Sequence, residues 1–169
     1  MERIEKFNCL DRFIARRRWR KADSLIPDHL RNGTILDLGA NGRGFLDSIV
    51  FADKHKAEKG EQVSGEYDVI TLLAVLEHTD EAGLDIIETT IRKNLNIGGR
   101  VIITTPTKRG NIVIKLLAKL GLINRTLANQ HKRIFGIVRI VYFLINCNVY
   151  PVEHKKFDFA MNQYAVGIK

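Results

Sequence analysis

Thr34 to Leu46 constrains the fold more than any other stretch of this chain. Ile35, Leu36 and Leu38 form the apolar run of a strand buried on both faces, with Asp37 near its carboxyl end. Gly39, Gly42 and Gly44 follow within six residues. Such a run lets the backbone turn sharply and leaves room for a ligand to approach the main chain. Phe45, Leu46, Ile49 and Val50 then recur at helical spacing, so a helix is expected over 44–57. A strand feeding a glycine turn and a helix is the unit of an open parallel sheet. Ligands bind such sheets outside the carboxyl ends of the strands. A corner that binds nothing is the alternative reading of the same residues.

The rest of the chain repeats the alternation. Glu5 to Ile26 reads as a helix ended by Pro27-Asp28, and Asn32-Gly33 as a turn. Glu58 to Glu66 reads as a polar loop, Tyr67 to Leu73 as a second buried strand. Thr79-Asp80-Glu81 opens a helix that runs to Leu95 with Ile86, Ile87 and Ile91 inward. Asn96-Ile97-Gly98-Gly99 is a turn into a third buried strand, Arg100 to Thr105, which Pro106 stops. Asn111 to Leu122 is an amphipathic helix with Ile112, Leu116, Leu117 and Leu120 on one side. Ile134 to Ile145 is a further helix, and two strand-like segments, 148–156 and 157–168, close the chain. The pattern implies an α/β, three-layer αβα sandwich with a mostly parallel sheet and an antiparallel C-terminal edge.

The 169 residues, 45% hydrophobic and 27% charged, suit one soluble domain. Within it, 1–30 is a basic helical segment, 31–105 a ligand-binding half, and 106–169 helices with a terminal strand pair. Cys9 and Cys147 fit neither a disulfide framework nor a metal-ligand spacing. They read as unpaired thiols of a cytoplasmic protein. No signal peptide is read in Met1 to Leu10, which is charged and lacks an apolar core. The net charge of +8 is concentrated at Arg12, Arg16, Arg17, Arg18, Arg20 and Lys21. These residues could contact an anionic surface, including the inner face of a membrane. They could equally be a solvated helix face whose Phe13, Ile14 and Trp19 pack inward. No dedicated nucleic-acid motif accompanies them.

Three segments, in order, resemble the class I S-adenosylmethionine-dependent methyltransferases. Ile35 to Gly44 is similar to the first cofactor motif, Tyr67 to His78 to the fourth-strand motif with its loop, and Leu95 to Pro106 to the fifth strand. His131-Lys132-Arg133-Ile134-Phe135, with the helix and two strands after it, is similar to the substrate-side region. The resemblance implies a Rossmann-like fold and S-adenosyl-L-methionine as cofactor, with S-adenosyl-L-homocysteine as product. It implies cofactor contacts from Asp37, Gly39, Ala40, Asn41, Gly42, Gly44, Leu73, Ala74 and Val75. The acceptor would be a small molecule, a glycan or a lipid-linked group.

Two departures from the family pattern stand out. Asn41 falls where the second glycine of the alternating motif is expected, and Gly42 and Gly44 are displaced by one step. Only 22 residues separate Gly44 from Tyr67, so the second and third strands of the family are expected to be missing or vestigial. The acidic residue that holds the ribose would go with them; Asp53, Glu61 and Glu66 are the substitutes. The first strand would then border an open sheet edge, covered by a homodimer partner or by the N-terminal helix.

Methyl transfer needs alignment of nucleophile and methyl group, and a base when the acceptor carries a proton. His78, just past a strand's carboxyl end, is the candidate catalytic base, with a packed helix-entry histidine as its alternative. Glu77 and His131 are candidates for substrate contact. No spacing of Cys, His, Asp or Glu indicates a metal site. The competing functional reading is a methyltransferase-like binding module that has lost its cofactor. A nicotinamide oxidoreductase ranks lower, because the glycines do not match the dinucleotide fingerprint.

Overall fold

A computed structural model describes residues 9–39, 44–58, 61–122 and 133–169. Helix α1 (Cys9–Asp23) leads through a short 3-10 turn (Asp28–Leu30) into β1 (Thr34–Leu38). A single-turn helix, α2 (Gly44–Asp47), and strand β2 (Asp53–Ala57) come next. Then come β3 (Tyr67–Leu73), α3 (Glu81–Asn94), β4 (Leu95–Pro106) and α4 (Lys108–Lys119). Helix α5 (Ile137–Asn146) and the hairpin β5 (Tyr150–Phe157) and β6 (Asn162–Ile168) complete the chain.

The six strands form one sheet in the order β2-β1-β3-β4-β6-β5. The first four are parallel, and β6 runs antiparallel to both β4 and β5. Successive side chains on a strand point to opposite faces, so β1 and β3 feed two cores. Leu36, Leu38, Ile70 and Leu72 pack with Ile87 and Ile91 of α3 and Ile140, Phe143 and Leu144 of α5. Ile35, Val69 and Ile102 pack on the other face with Ala22, Ile26, Phe45 and Leu46. This is the expected αβα sandwich with its antiparallel edge.

Helix α3 begins where the sequence signals it. Asp80 accepts a hydrogen bond from the Gly83 amide at 3.0 Å, satisfying a first-turn donor. Ile87 and Ile91 are buried as expected, whereas Ile86 is exposed. Phe13 likewise faces solvent rather than packing inward, while Trp19 packs against the second core. On α4 the surprise is larger: Ile112, Leu116 and Leu120 are all exposed. The side that packs carries Ile114, Leu117 and Ala118, against Leu10 of α1.

The region after the glycine turn departs most from expectation. The helix expected over 44–57 is one turn long, and a second strand forms in its place. Lys54 terminates α2, its Nζ donating to the carbonyls of Leu46 (3.0 Å) and Ile49 (2.8 Å). Strand β2 escaped the sequence reading because Asp53, Lys54, His55 and Lys56 are exposed, which leaves no apolar alternation to detect. The chain therefore keeps a second strand. Among the described residues none follows it before β3, so the region is shortened by one strand. The charged β2 is itself the sheet edge, a common protection against edge pairing. The N-terminal helix does not cover that edge, since α1 lies on the sheet face over β3 and β4.

Candidate functional site

Two turns at the carboxyl edge of the sheet are pressed together. Gly39 follows β1 at φ +85°, and its amide donates to the Ala57 carbonyl of β2 at 2.8 Å. A Cβ at position 39 would lie 2.6 Å from Val75 Cγ1, so a side chain fits neither the backbone angle nor the space. Opposite it, Ala74 follows β3 at φ 61°, with its amide donating to the Thr104 carbonyl at 2.9 Å. Leu73, Ala74 and Val75 thus flank the start of the glycine turn. Ala40, Asn41 and Gly42 lie outside the described residues. Gly44 opens α2 beneath Trp19, where a Cβ would come within 2.3 Å of the indole. Its described role is close packing of α2 against α1.

Asp37 is buried on β1, and its Oδ1 accepts a hydrogen bond from the Thr71 hydroxyl of β3 at 2.7 Å. Burial pushes its carboxyl up to about 6, with the Thr71 bond opposing. This side chain ties the two strands together directly below the turns.

The turn after β3 carries the most unusual group. Glu77 lies in a 3-10 turn (Leu76–His78) and is 1% exposed. Neither of its carboxylate oxygens has a hydrogen-bond partner from another residue. Burial pushes its carboxyl up to about 7, against the pull of the Arg18 guanidinium from α1. Burial also lowers Arg18 from its usual value, opposed by the Glu77 and Asp158 carboxylates. The buried Thr104 hydroxyl, near the carboxyl end of β4, is without a partner too. Buried polar groups are nearly always hydrogen-bonded, so each of these marks a point where a polar group is left open. His78 is half-buried on the same turn and engaged with its neighbours. His131 lies outside the described residues.

The acidic candidates separate by strand end. Asp53 begins β2, at the edge away from the turns, and pairs with His55 at 2.8 Å. Glu66 precedes β3, also at the wrong end. Glu61 lies past the carboxyl end of β2, where its Oε2 accepts from the Glu58 amide at 2.8 Å. Glu58 itself, not singled out from the sequence, immediately follows β2 and is exposed. Only the recognition of β2 as a strand could have pointed to it.

The basic segment is partly consumed internally. Arg17 pairs with Asp158 in the β5–β6 turn, Lys21 Nζ sits 4.5 Å above the Tyr164 ring, and Arg18 interacts electrostatically with the Glu77 and Asp158 carboxylates. Arg12, Arg16 and Arg20 remain exposed. Arg16 and Arg20 line a cavity of about 390 Å³ together with Trp19, Asp23, Gly44, Asp47 and Ser48, between α1 and α2. That cavity lies on the α1 side of the glycine turn, and two aspartates balance its charge. Among the described residues no group of three or more His, Cys, Asp or Glu side chains is placed to hold a metal ion. No described helix is long and apolar enough to cross a membrane.

No protein-family model matches the sequence, and no curated protein matches it. Solved structures do match the fold. The N-methyltransferase NodS from Bradyrhizobium japonicum WM9 superposes with a TM-score of 0.62 at 12% identity, over 94% of this chain and 98% of NodS. The magnesium protoporphyrin IX methyltransferase ChlM from Synechocystis PCC 6803, solved with S-adenosylhomocysteine bound, gives 0.65 at 15% identity, over 97% and 89%. CalO1, a methyltransferase of calicheamicin biosynthesis also solved with S-adenosylhomocysteine, gives 0.68 at 14% identity; the chain spans 94% of itself but only 55% of CalO1. The sheet order, the glycine turn after β1 and these superpositions agree: the chain has the Rossmann-like αβα fold of the class I S-adenosylmethionine-dependent methyltransferases.

Proposed function

We propose that the protein is an S-adenosylmethionine-dependent methyltransferase whose acceptor is a small molecule, a glycan or a lipid-linked group carrying a proton on the atom methylated. One observation carries this reading. The orphaned Glu77 carboxylate stands two residues past Val75, against which the Gly39 turn is pressed.

The residues at the edge fit the cofactor. Gly39 and the Leu73–Val75 turn supply a close backbone cradle that a Cβ at 39 would fill. Asp37 anchors that cradle and faces the cofactor's amino-acid portion. Glu58, exposed at the carboxyl end of β2, suits the ribose hydroxyls. Ala40, Asn41, Gly42 and Gly44, assigned by the resemblance of their segment to the first cofactor motif, complete the proposed set. The bound cofactor supplies a methyl group on a sulfonium centre, already activated for displacement.

The chain's own task is to align the acceptor and manage its proton. Glu77 suits the base role better than His78, because its oxygens have no partner from another residue and its carboxyl titrates near neutrality. The positive charge of Arg18 moderates that shift. His78, one residue on, flanks the acceptor, and His131 belongs to the substrate side.

The binding-module alternative is favoured by one feature. Only nine residues, Glu58 to Glu66, join β2 to β3. Turnover separates the two readings. The protein is incubated with methyl-labelled cofactor and a panel of amine, hydroxyl and glycolipid acceptors, alongside Glu77→Gln. The expected result is transfer to one class, at least a hundredfold slower in Glu77→Gln, with a rate that rises through about pH 7. A folded protein that neither binds the cofactor product nor transfers to anything on the panel supports the module.

A further inference from the structure

The apolar side of α4 faces outward without a covering element among the described residues. Ile112 is 69% exposed, Leu116 56% and Leu120 64%, at a spacing that aligns them along one helix face. Lys108, Arg109, Lys115 and Lys119 are exposed on the same helix, which has no acidic residue.

A second element extends this surface. The β5–β6 turn places Asp158, Phe159 and Ala160 in the left-handed region, at φ 52°, 55° and 62°. Side chains rarely adopt that conformation. Here it holds the Phe159 ring at the tip, 86% exposed. The Thr107 hydroxyl at the start of α4 hydrogen-bonds the Ala160 carbonyl at 2.6 Å, so the tip sits beside the first turn of α4.

The charge around these apolar groups is one-sided. Helices α1 and α4 and the turn carry ten lysines and arginines against Asp11, Asp23 and Asp158. Asp158 pairs with Arg17, Asp23 with Arg31, and Asp11 is also engaged. Apolar side chains beside such an excess of basic residues complement an anionic lipid surface. A soluble acidic partner would need no exposed ridge of Ile112, Leu116 and Leu120.

From this surface we infer that α4 and the Phe159 turn dock the protein onto an anionic lipid bilayer. The helix starts at the carboxyl end of β4, the edge that carries the Gly39 turn. Docking there holds that edge close to headgroup-borne acceptors, a consequence that rests on the methyltransferase reading. The docking itself does not.

Flotation with vesicles tests it without any cofactor. The full chain is mixed with 30% phosphatidylglycerol in phosphatidylcholine, with phosphatidylcholine alone, and with heparin beads. The expected result is binding to the anionic vesicles, weakened by salt and at least tenfold weaker to neutral ones. Ile112→Asp/Leu116→Asp and, separately, Phe159→Asp should each reduce it at least fivefold at unchanged circular dichroism. The inference is overturned by absence of vesicle binding, or by binding that both variants leave intact. It is also overturned if the aspartate variants instead dissolve a homodimer that binds no vesicles, which would make the ridge a subunit interface. Loss of S-adenosylhomocysteine binding with vesicle binding retained would remove the methyltransferase reading alone.

Discussion

Glu77, on the turn after β3, is a buried carboxylate whose oxygens have no partner from another residue, and the positive charge of Arg18 on α1 opposes the effect of its burial. The pair joins the basic segment to the proposed site. Its energetics stem from burial: a charge removed from water is costly, and a distant counter-charge recovers part of that cost.

Glu77 has a folded value raised from 4.5 to about 7. Its stabilising contribution is full below about pH 4.5 and is lost as the pH rises through about 7. Glu77→Gln is therefore expected to be more stable than the parent at pH 8, by on the order of 2 kcal/mol, and to match it at pH 4. Chemical denaturation at the two pH values checks this. A residue that gains stability and loses turnover on substitution is behaving as a site residue.

Removing the counter-charge acts in the opposite sense. Arg18→Leu is expected to cost about 1–2 kcal/mol at pH 8 and less at pH 5, where Glu77 is protonated. In the double variant with Glu77→Gln most of that cost disappears. A thermodynamic cycle at both pH values reads the coupling directly.

Asp37 has the same sign. Its carboxyl is raised from 3.8 to about 6, so its contribution is full below about pH 3.8 and lost as the pH rises through about 6. Asp37→Asn keeps an acceptor for Thr71 and is expected to gain on the order of 2 kcal/mol at pH 7.5. Its affinity for S-adenosylhomocysteine is expected to fall severalfold. Denaturation and calorimetry on the same preparation separate the two effects.

Thr107 joins α4 to the β5–β6 turn. Its hydroxyl oxygen accepts from the Gly110 amide at 3.1 Å and hydrogen-bonds the Ala160 carbonyl at 2.6 Å. Thr107→Val is expected to cost about 1–2 kcal/mol, with Thr107→Ser restoring most of it. Urea midpoints of the three proteins test the assignment.

Much of the fold was legible from the amino-acid sequence. Ile35, Leu36 and Leu38, and Val69, Ile70 and Leu72, are apolar because their strands are covered on both faces, so the central strands declared themselves. Asp80 announced α3 because helix starts need an acceptor for their free amides. Strand β2 did not, because Asp53 to Lys56 face water on both sides and leave no period. Glu58 was hidden with it. Ile112, Leu116 and Leu120 marked a helix face correctly, but periodicity says which residues share a face, not which face is inward. The isolation of Glu77 arises from tertiary burial of its turn, a long-range fact that no local pattern carries.

Cofactor binding at the carboxyl edge of β1, β2 and β3 underlies the proposed function. Calorimetric titration of the purified chain with S-adenosylhomocysteine, repeated on Glu58→Ala and Gly39→Val, tests it most directly. Micromolar binding to the parent is expected, at least tenfold weaker in Glu58→Ala and absent in Gly39→Val, with Glu58→Ala unchanged in fold. A well-folded parent that gives no binding heat and no thermal shift with the ligand contradicts it.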